Sequence, residues 1–374
     1  MKKILIIFGT RPEAIKMAPL VKYFRTQPGF QTKVCVTAQH REMLDQVLDF
    51  FEIKPDFDLN LMKPNQNLYS LTSEIILGLK EILDSYVPDF VFVHGDTTTS
   101  MAAAIASFYS GAKVCHVEAG LRTFNKKAPF PEEINRQITG RIADYHFAPT
   151  DQSKANLIAE NIDPKTIIVT GNTVIDALLY SSQKVKLEDS EDIRKLRELL
   201  NDSKKLILVT GHRRENHGQG FLNISGALRQ IAEEHSEIQI VYPVHLNPNV
   251  RKPVYDMLRG VSNIILIEPQ SYPAFVWLMD RSYLILTDSG GVQEEAPSLS
   301  KPVLVMRDTT ERPEAVEAGT VILVGTDKDK IVAETRMLLK DEARYQQMSA
   351  LHNPYGDGNA CRRIVEYLAS ECCE

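Results

Sequence analysis

Short apolar, β-branched runs alternate with amphipathic stretches of helical length along this chain, the rhythm of parallel β-α-β units. In the first half, residues 4–8, 33–37, 90–93, 113–117, 145–148 and 167–170 are expected as strands. The rhythm returns at residues 206–210, 238–243, 264–267, 283–287, 303–306 and 321–324. Between the two series lies a charged stretch, residues 184–205, which includes Glu188-Asp189-Ser190-Glu191-Asp192. It reads as a solvated helix without a functional role, and it marks a boundary after Gly171-Asn172. The pattern therefore predicts two doubly wound α/β domains of similar size, residues 1–171 and 172–354. From Asn353 the chain carries Pro354, Gly356 and Gly358, then a helical run from Ala360.

Length agrees with two domains, because 374 residues exceed what one core usually holds. A net charge of −6 argues against a general nucleic-acid binder but leaves room for a local anion site. Lys2-Lys3 followed by residues 4–8 resembles the start of a signal peptide, yet the apolar run is too short and Gly9-Thr10-Arg11-Pro12-Glu13 follows at once. It is expected as a buried first strand. No run approaches the ~18 apolar residues of a membrane span, so no membrane partner is expected. Five scattered cysteines, Cys35, Cys115, Cys361, Cys372 and Cys373, suit reduced thiols in a cytoplasm rather than a disulfide framework or a zinc site.

The polar clusters fall directly after the expected strands. Arg11 follows the first, His94 and Asp96 the third, Glu118 the fourth; His212-Arg213-Arg214-Glu215, His245 and Asp288-Ser289 do the same in the second half. Open parallel sheets bind ligands at the carboxyl ends of their strands, which suggests a ligand held between two facing domains. In Gly9-Thr10-Arg11-Pro12-Glu13-Ala14-Ile15-Lys16, Pro12 suits the first turn of a helix, with Thr10 or Arg11 near its N-cap. Arg11 and Lys16 would favour phosphate at that helix end; an Arg and a Lys on an ordinary helix surface would look the same. The motif is not GxGxxG, so nicotinamide binding is not supported. Asp288-Ser289-Gly290-Gly291 opens a second loop-to-helix transition, where glycines let N–H groups approach a diphosphate, and a long acidic helix is expected to follow. Asp96, Glu118 and the Glu132-Glu133 pair are candidate carboxylates. Asp56-Phe57-Asp58 matches the DxD of metal-dependent glycosyltransferases but lies in an alternating, strand-like segment and receives no metal role. His212 and His217 lack ligand-like spacing, so no protein-bound metal is expected.

Taken in order, the motifs resemble one family along nearly the whole chain, the non-hydrolysing bacterial UDP-N-acetylglucosamine 2-epimerases. They are Phe8-Gly9-Thr10-Arg11-Pro12-Glu13-Ala14-Ile15-Lys16, residues 37–46, His94-Gly95-Asp96-Thr97-Thr98-Thr99, His116-Val117-Glu118-Ala119-Gly120-Leu121-Arg122, Pro131-Glu132-Glu133 and Gly171-Asn172-Thr173. Thr210-Gly211-His212-Arg213-Arg214-Glu215-Asn216, Tyr242-Pro243-Val244-His245, Asp288-Ser289-Gly290-Gly291, residues 307–314 and residues 353–358 continue the match. Residues 123–127 depart from it.

The resemblance implies a GT-B fold, two Rossmann-like domains facing a central cleft, with residues 355–374 forming a helix that returns to the first domain. It also implies a homodimer and an active site without cofactor or metal. By carry-over, Arg11, Lys16, His212, Ser289, Gly290 and Gly291 would hold the diphosphate, Gln270 and Phe275 the uracil, Glu295 the ribose, and Arg312 the sugar or phosphate side. Asp96, Glu118 and Glu132 would be the catalytic carboxylates, with His212 assisting. Gln39, Arg213 and His245 match a second, regulatory nucleotide-sugar site; they read equally well as additional structural groups.

The implied reaction inverts C2 of UDP-N-acetylglucosamine to give UDP-N-acetylmannosamine for surface polysaccharide. UDP leaves in an anti elimination that forms 2-acetamidoglucal, then adds back. Such a path needs positive groups for departing UDP and acid–base groups on both faces of C2; which carboxylate serves which face stays open. A GT-B glycosyltransferase, a hydrolysing epimerase that releases N-acetylmannosamine and a silent nucleotide-sugar binder are the alternatives.

Overall fold

The expected strands form two parallel sheets in a computed structural model that describes residues 1–38, 41–61, 66–188 and 190–372. The first half supplies β1 (Lys2–Phe8), β2 (Phe30–Val36), β3 (Phe57–Asp58), β4 (Phe90–His94), β5 (Lys113–Val117), β6 (Tyr145–Ala148) and β7 (Ile167–Val169). The second supplies β8 (Lys205–Thr210), β9 (Ile238–Pro243), β10 (Ile264–Ile267), β11 (Leu284–Thr287), β12 (Val303–Val305) and β13 (Val321–Leu323). All twelve runs read from the sequence are strands, with ends shifted by a few residues. The addition is β3, a two-residue edge strand inside the segment that looked strand-like, paired with Cys35 and Val36 of β2.

Strand order is β3-β2-β1-β4-β5-β6-β7 in one sheet and β10-β9-β8-β11-β12-β13 in the other, and every pairing is parallel. Helices cover both faces of such sheets, so the central strands read as unbroken apolar runs; Ile4 through Phe8 are fully buried. In each sheet the order reverses once, between β1 and β4 and between β8 and β11. In open α/β sheets ligand crevices lie outside the carboxyl ends of the strands at these switch points. Residues after β1 and β4, and after β8 and β11, are thus brought side by side by topology alone.

The chain divides into two units, residues 1–177 with 355–374, and residues 178–354. The first division falls inside the helix Thr173–Leu187. In the first unit, Leu5, Ile7, Val91 and Val93 of the sheet share a core with Ile75 and Leu79 of the helix Leu68–Tyr86 and Ala102 and Ala103 of the helix Thr98–Ser110. The second unit has its own core around Ile207, Phe221, Ile240, Tyr242 and Leu286. The helix Ala360–Glu371 belongs to the first unit, where Ile364, Val365 and Leu368 are buried. There the Tyr367 ring meets Phe147 at 6.2 Å and Tyr145 at 6.0 Å.

Two expectations need correction. The charged stretch is not wholly solvated, because the helix Glu191–Leu199 buries Ile193 and Leu196; Asp189 lies outside the described residues. The acidic helix after Ser289 is short, Gly290–Glu295, passing into a 3₁₀ turn at Ala296–Leu299 that contains Pro297. Proline lacks the N–H that would continue the helix and crowds the preceding turn. Among the described residues no helix is long and apolar enough to cross a membrane.

Candidate active site

The first unit's switch point is built around Glu13. Thr10 caps the helix Arg11–Arg25 by accepting from the Glu13 N–H at 3.4 Å, and Glu13 Oε2 accepts from the Thr10 N–H at 2.8 Å, a reciprocal capping box with Pro12 in the first turn. The same carboxylate accepts from the Gly9 N–H at 3.1 Å, Thr97 Oγ1 at 2.6 Å and Ser100 Oγ at 3.1 Å. Burial pushes its carboxyl up, against those hydrogen bonds. One buried side chain thus ties the loop after β1 to the loop after β4. Gly9 is crowded: a Cβ there would lie 2.1 Å from Thr37 Oγ1 and 2.5 Å from Thr99 Oγ1.

On this platform Arg11 opens the helix, half-buried, and Lys16 projects one turn later. Lys16 forms an ion pair with Glu118 at the end of β5. Glu118 also accepts from Asn172 Nδ2 at 2.8 Å and lies 3.7 Å from His94 Nε2. Burial holds the His94 imidazole down to about 4, so its contact with Glu118 is not a charge pair near neutrality. Glu118 adopts φ +60°, a conformation that costs a non-glycine residue about 1–3 kcal/mol and is held only where its surroundings insist on it.

Asp96 follows β4 and receives Arg136 Nη2 at 2.5 Å, while its carbonyl accepts from Asn135 Nδ2 at 2.9 Å. Both partners lie on the helix Glu132–Ile142, so Asp96 is tied to the element that begins with Glu132. The structure separates the Glu132-Glu133 pair. Glu133 is fully buried. Burial would raise its carboxyl, but the Thr123 and Phe124 N–H groups, the Thr123 hydroxyl and Gln137 hold it below the usual range. It braces the turn at Thr123-Phe124. Oε2 of Glu132 is enclosed and has no hydrogen-bond partner among the described residues.

The second unit is organised by Asp288, fully buried at the end of β11. It accepts from the N–H of His212 at 2.9 Å, the N–H of Arg213 at 2.9 Å and Asn216 Nδ2 at 3.2 Å. Across the switch point Thr210 and Thr287 join their hydroxyls at 2.6 Å. The His212 ring lies 3.5 Å from Asp288 and stacks on His245 with centroids 5.6 Å apart. Partial burial pushes this imidazole below its ordinary value, against the pull of Asp288.

Ser289 precedes Gly290 and Gly291, whose N–H groups open the short helix. The guanidinium groups of Arg213 and Arg312 converge there, with Nη2 atoms 3.7 and 3.8 Å from where a Gly290 Cβ would sit. Arg312 is held by the buried Glu294. Arg307 clamps Glu215 at 2.6 Å and Glu311 at 2.9 Å, joining the loops that carry these two cations. Glu295 Oε1 lies 3.9 Å from the same kind of position at Gly291. Two guanidinium groups around a glycine turn make a concavity for an anion.

Gln270 and Phe275 stand before and within the helix Tyr272–Arg281, both partly exposed. Gln39 lies outside the described residues. Asp56 and Asp58 are occupied at the sheet edge, by the Val34 N–H at 2.9 Å and by Arg41. No group of three or more His, Cys, Asp or Glu among the described residues is arranged to hold a metal ion.

Sequence reasoning gave no role to Glu13, Arg136, Asn172, Asp288, Glu294 and Arg307, which hold groups it named. Four of them lie in the quoted motifs Gly9–Lys16, Gly171–Thr173, Asp288–Gly291 and residues 307–314, which was the available signal. Their partners sit on other loops, so spacing alone could not reveal the contacts.

Two parallel-sheet units with charged loops at both switch points define an α/β protein of GT-B-like architecture. The chain belongs to the UDP-N-acetylglucosamine 2-epimerase family, whose model matches residues 22–369. The UDP-N-acetylglucosamine 2-epimerase of Escherichia coli O157:H7 is 61% identical over 368 residues, covering 98% of each chain. The crystal structure of UDP-GlcNAc 2-epimerase from Neisseria meningitidis bound to UDP-GlcNAc is 53% identical, with a TM-score of 0.88, over 98% of this chain and 100% of that one. The Methanocaldococcus jannaschii enzyme in complex with UDP-GlcNAc and UDP is 34% identical, with a TM-score of 0.79, over 98% and 99%.

Proposed function

We propose that this chain interconverts UDP-N-acetylglucosamine and UDP-N-acetylmannosamine by inversion at C2, and that it does so without hydrolysis. The observation that carries the reading is the pairing of Glu118 with Lys16 and of Asp96 with Arg136 at the ends of neighbouring strands β5 and β4. In this reading Arg11, Lys16, His212, Arg312 and the Ser289-Gly290-Gly291 turn receive the diphosphate, with Gln270 and Phe275 at uracil and Glu295 at the ribose. Ligands of this kind in two relatives, from Neisseria meningitidis and Methanocaldococcus jannaschii, support it. A bound anion and a C2 proton require the two kinds of group that the two units present.

The C2 proton is not adjacent to a carbonyl, so direct removal would leave a poorly stabilised carbanion. Loss of UDP makes the sugar oxocarbenium-like and that proton acidic. The C1–O bond breaks with its electron pair passing to UDP, a carboxylate takes the C2 proton, and 2-acetamidoglucal results. Re-addition of UDP at C1 with protonation of the opposite face at C2 completes the inversion. Glu118, Asp96 and Glu132 supply the acid–base groups, and no water is consumed. The product would feed surface-polysaccharide assembly in the cytoplasm, a setting that suits the free buried thiols of Cys35, Cys115 and Cys361. A homodimer belongs to this reading: Leu77, Phe108 and Tyr109 expose apolar side chains on two helices that pack together. So does activation by a second nucleotide-sugar at Gln39, Arg213 and His245.

Proton NMR of UDP-N-acetylglucosamine with the purified chain in heavy water tests it, with no acceptor, metal or nicotinamide added. UDP-N-acetylmannosamine carrying deuterium at C2 is the expected product. Free N-acetylmannosamine would indicate hydrolysis, and an unchanged spectrum with bound substrate would point to a transferase or a binding protein.

A further inference from the structure

The chain passes between the two units twice, after Ala177 and before Tyr355. Asn172 sits beside both passages. Its backbone N–H donates to the Tyr355 carbonyl at 2.7 Å. Its Oδ1 accepts from the Val174 N–H at 3.0 Å, at the start of the helix that carries the first passage. Its Nδ2 donates to Glu118 Oε2 at 2.8 Å, and the residue is 2% exposed. The surroundings are tight. Gly171 has φ +87°, and a Cβ there would lie 3.3 Å from the Gly356 Cα. Arg363 donates to the Thr170 carbonyl at 3.0 Å, and Asp176 accepts from the N–H groups of Ala360 and Cys361 at 3.2 and 2.9 Å.

We propose that Asn172 is a positioning residue that orients the Glu118 carboxylate and ties it to the two segments by which the chain leaves and re-enters the first unit. The inference rests on the reading of Glu118 as an acid–base group at C2. A primary amide has the required chemistry: one end accepts and the other donates, so the side chain cannot turn without losing the helix contact or the carboxylate contact. Because it is neutral, it holds an anion without adding a second charge. Any displacement of residues 171–174 or of Tyr355 therefore reaches Glu118 directly. An error of about 1 Å at a reacting group can lower a rate by roughly 100-fold, so a short relay of this kind is enough to gate the chemistry.

Asn172→Asp separates positioning from a structural role, since aspartate keeps the oxygen that accepts from Val174 and loses the donor to Glu118. The expected result is a fall of about tenfold or more in kcat for C2 exchange, the size of one lost hydrogen bond to a charged group. The Kd for UDP should hold. The loss should shrink as pH falls, because two facing carboxylates come to share a proton and the protonated aspartate then donates as asparagine did. Lys16 and His94 face Glu118 as charged or titratable groups. Asp176, the next acidic residue along the crossing helix, is engaged by the backbone of Ala360 and Cys361. Asn172→Ser, with a hydroxyl too short to reach Glu118, should lose activity without recovery in acid. Gly171→Ala should lower kcat, and its effect should be smaller in the Asn172→Asp background than alone. Wild-type kcat with an unmoved pH profile in Asn172→Asp, or fully multiplicative losses in the double variant, would overturn the proposal. Absence of exchange by the unaltered chain would instead remove the functional reading beneath it.

Discussion

In the proposed site residues work in pairs, one side chain offered to the ligand and one bracing it. His212 and Arg213 face outward because Asp288 collects their N–H groups, and Arg312 is set by Glu294. Asp288→Ala tests that arrangement. A methyl group cannot accept, so the N–H groups of His212 and Arg213 and the Asn216 Nδ2 lose their shared buried acceptor. That loss is on the order of 2 kcal/mol, or roughly 30-fold weaker UDP binding by calorimetry. Unchanged affinity would show that the loop holds its shape without the carboxylate. The candidates drawn from the sequence are of one kind, since Arg, Lys, His and Glu after strands are conspicuous. Residue chemistry alone left Glu132 and Glu133 level, and only the family resemblance singled out Glu132; Glu133 is fully buried and braces the Thr123 turn, whereas Glu132 has an enclosed oxygen with no hydrogen-bond partner among the described residues.

At the scale of elements, strands were the most legible feature, because a central strand of a covered parallel sheet must be apolar on both faces. The edge strand β3, with two residues and a partner on one side only, showed itself as a short alternation around Phe57 but was not counted among the strands. The helix after Ser289 was misjudged in length because Pro297 was outweighed by the acidic run before it. Close approach between elements was not legible either. Gly9 looks like an ordinary turn residue, yet it sits where the hydroxyls of Thr37 and Thr99 meet at 3.0 Å. A methyl group placed there must push apart the loops after β1 and β2 and the helix Thr98–Ser110. Gly9→Ala should destabilise the first unit by about 1–3 kcal/mol, read as a lower urea midpoint with unchanged slope. A neutral result would mean that the hydroxyls rotate away at no cost.

For the molecule as a whole, acid is expected to act sooner on the first unit, with three deeply buried imidazoles, than on the second, where His212 is shifted the same way by partial burial. Burial holds His94 down to about 4, His116 to about 3 and His146 to about 4, and all three lie in the first unit. Their unfolded value is about 6.5. Stability from keeping them neutral is fully present above that value and is lost as pH falls toward the folded values, at about 1.4 kcal/mol per unit for each imidazole. Glu13 and Asp176, raised by burial, act in the opposite sense; the three imidazoles are expected to outweigh them. In the second unit burial would raise Glu311, but Arg307 holds it at about 2, so that contribution fades only below the ordinary carboxylate range. The chain's one tryptophan, Trp277, is buried in the second unit. Far-UV circular dichroism should therefore begin to change at a higher pH than tryptophan fluorescence. Coincident transitions would mean that the units unfold together.

Residues 355–374 belong to the unit that begins at Met1, and this has a consequence during synthesis. Domains made early usually finish folding while the ribosome is still at work. Here the first-made unit must wait, its strands assembled but the surface under Tyr367 uncovered, until the whole of the second unit has been translated. A chain that stops short of Tyr355 would leave an intact second unit joined to an unfinished first one, the kind of product that chaperones and proteases are equipped to find.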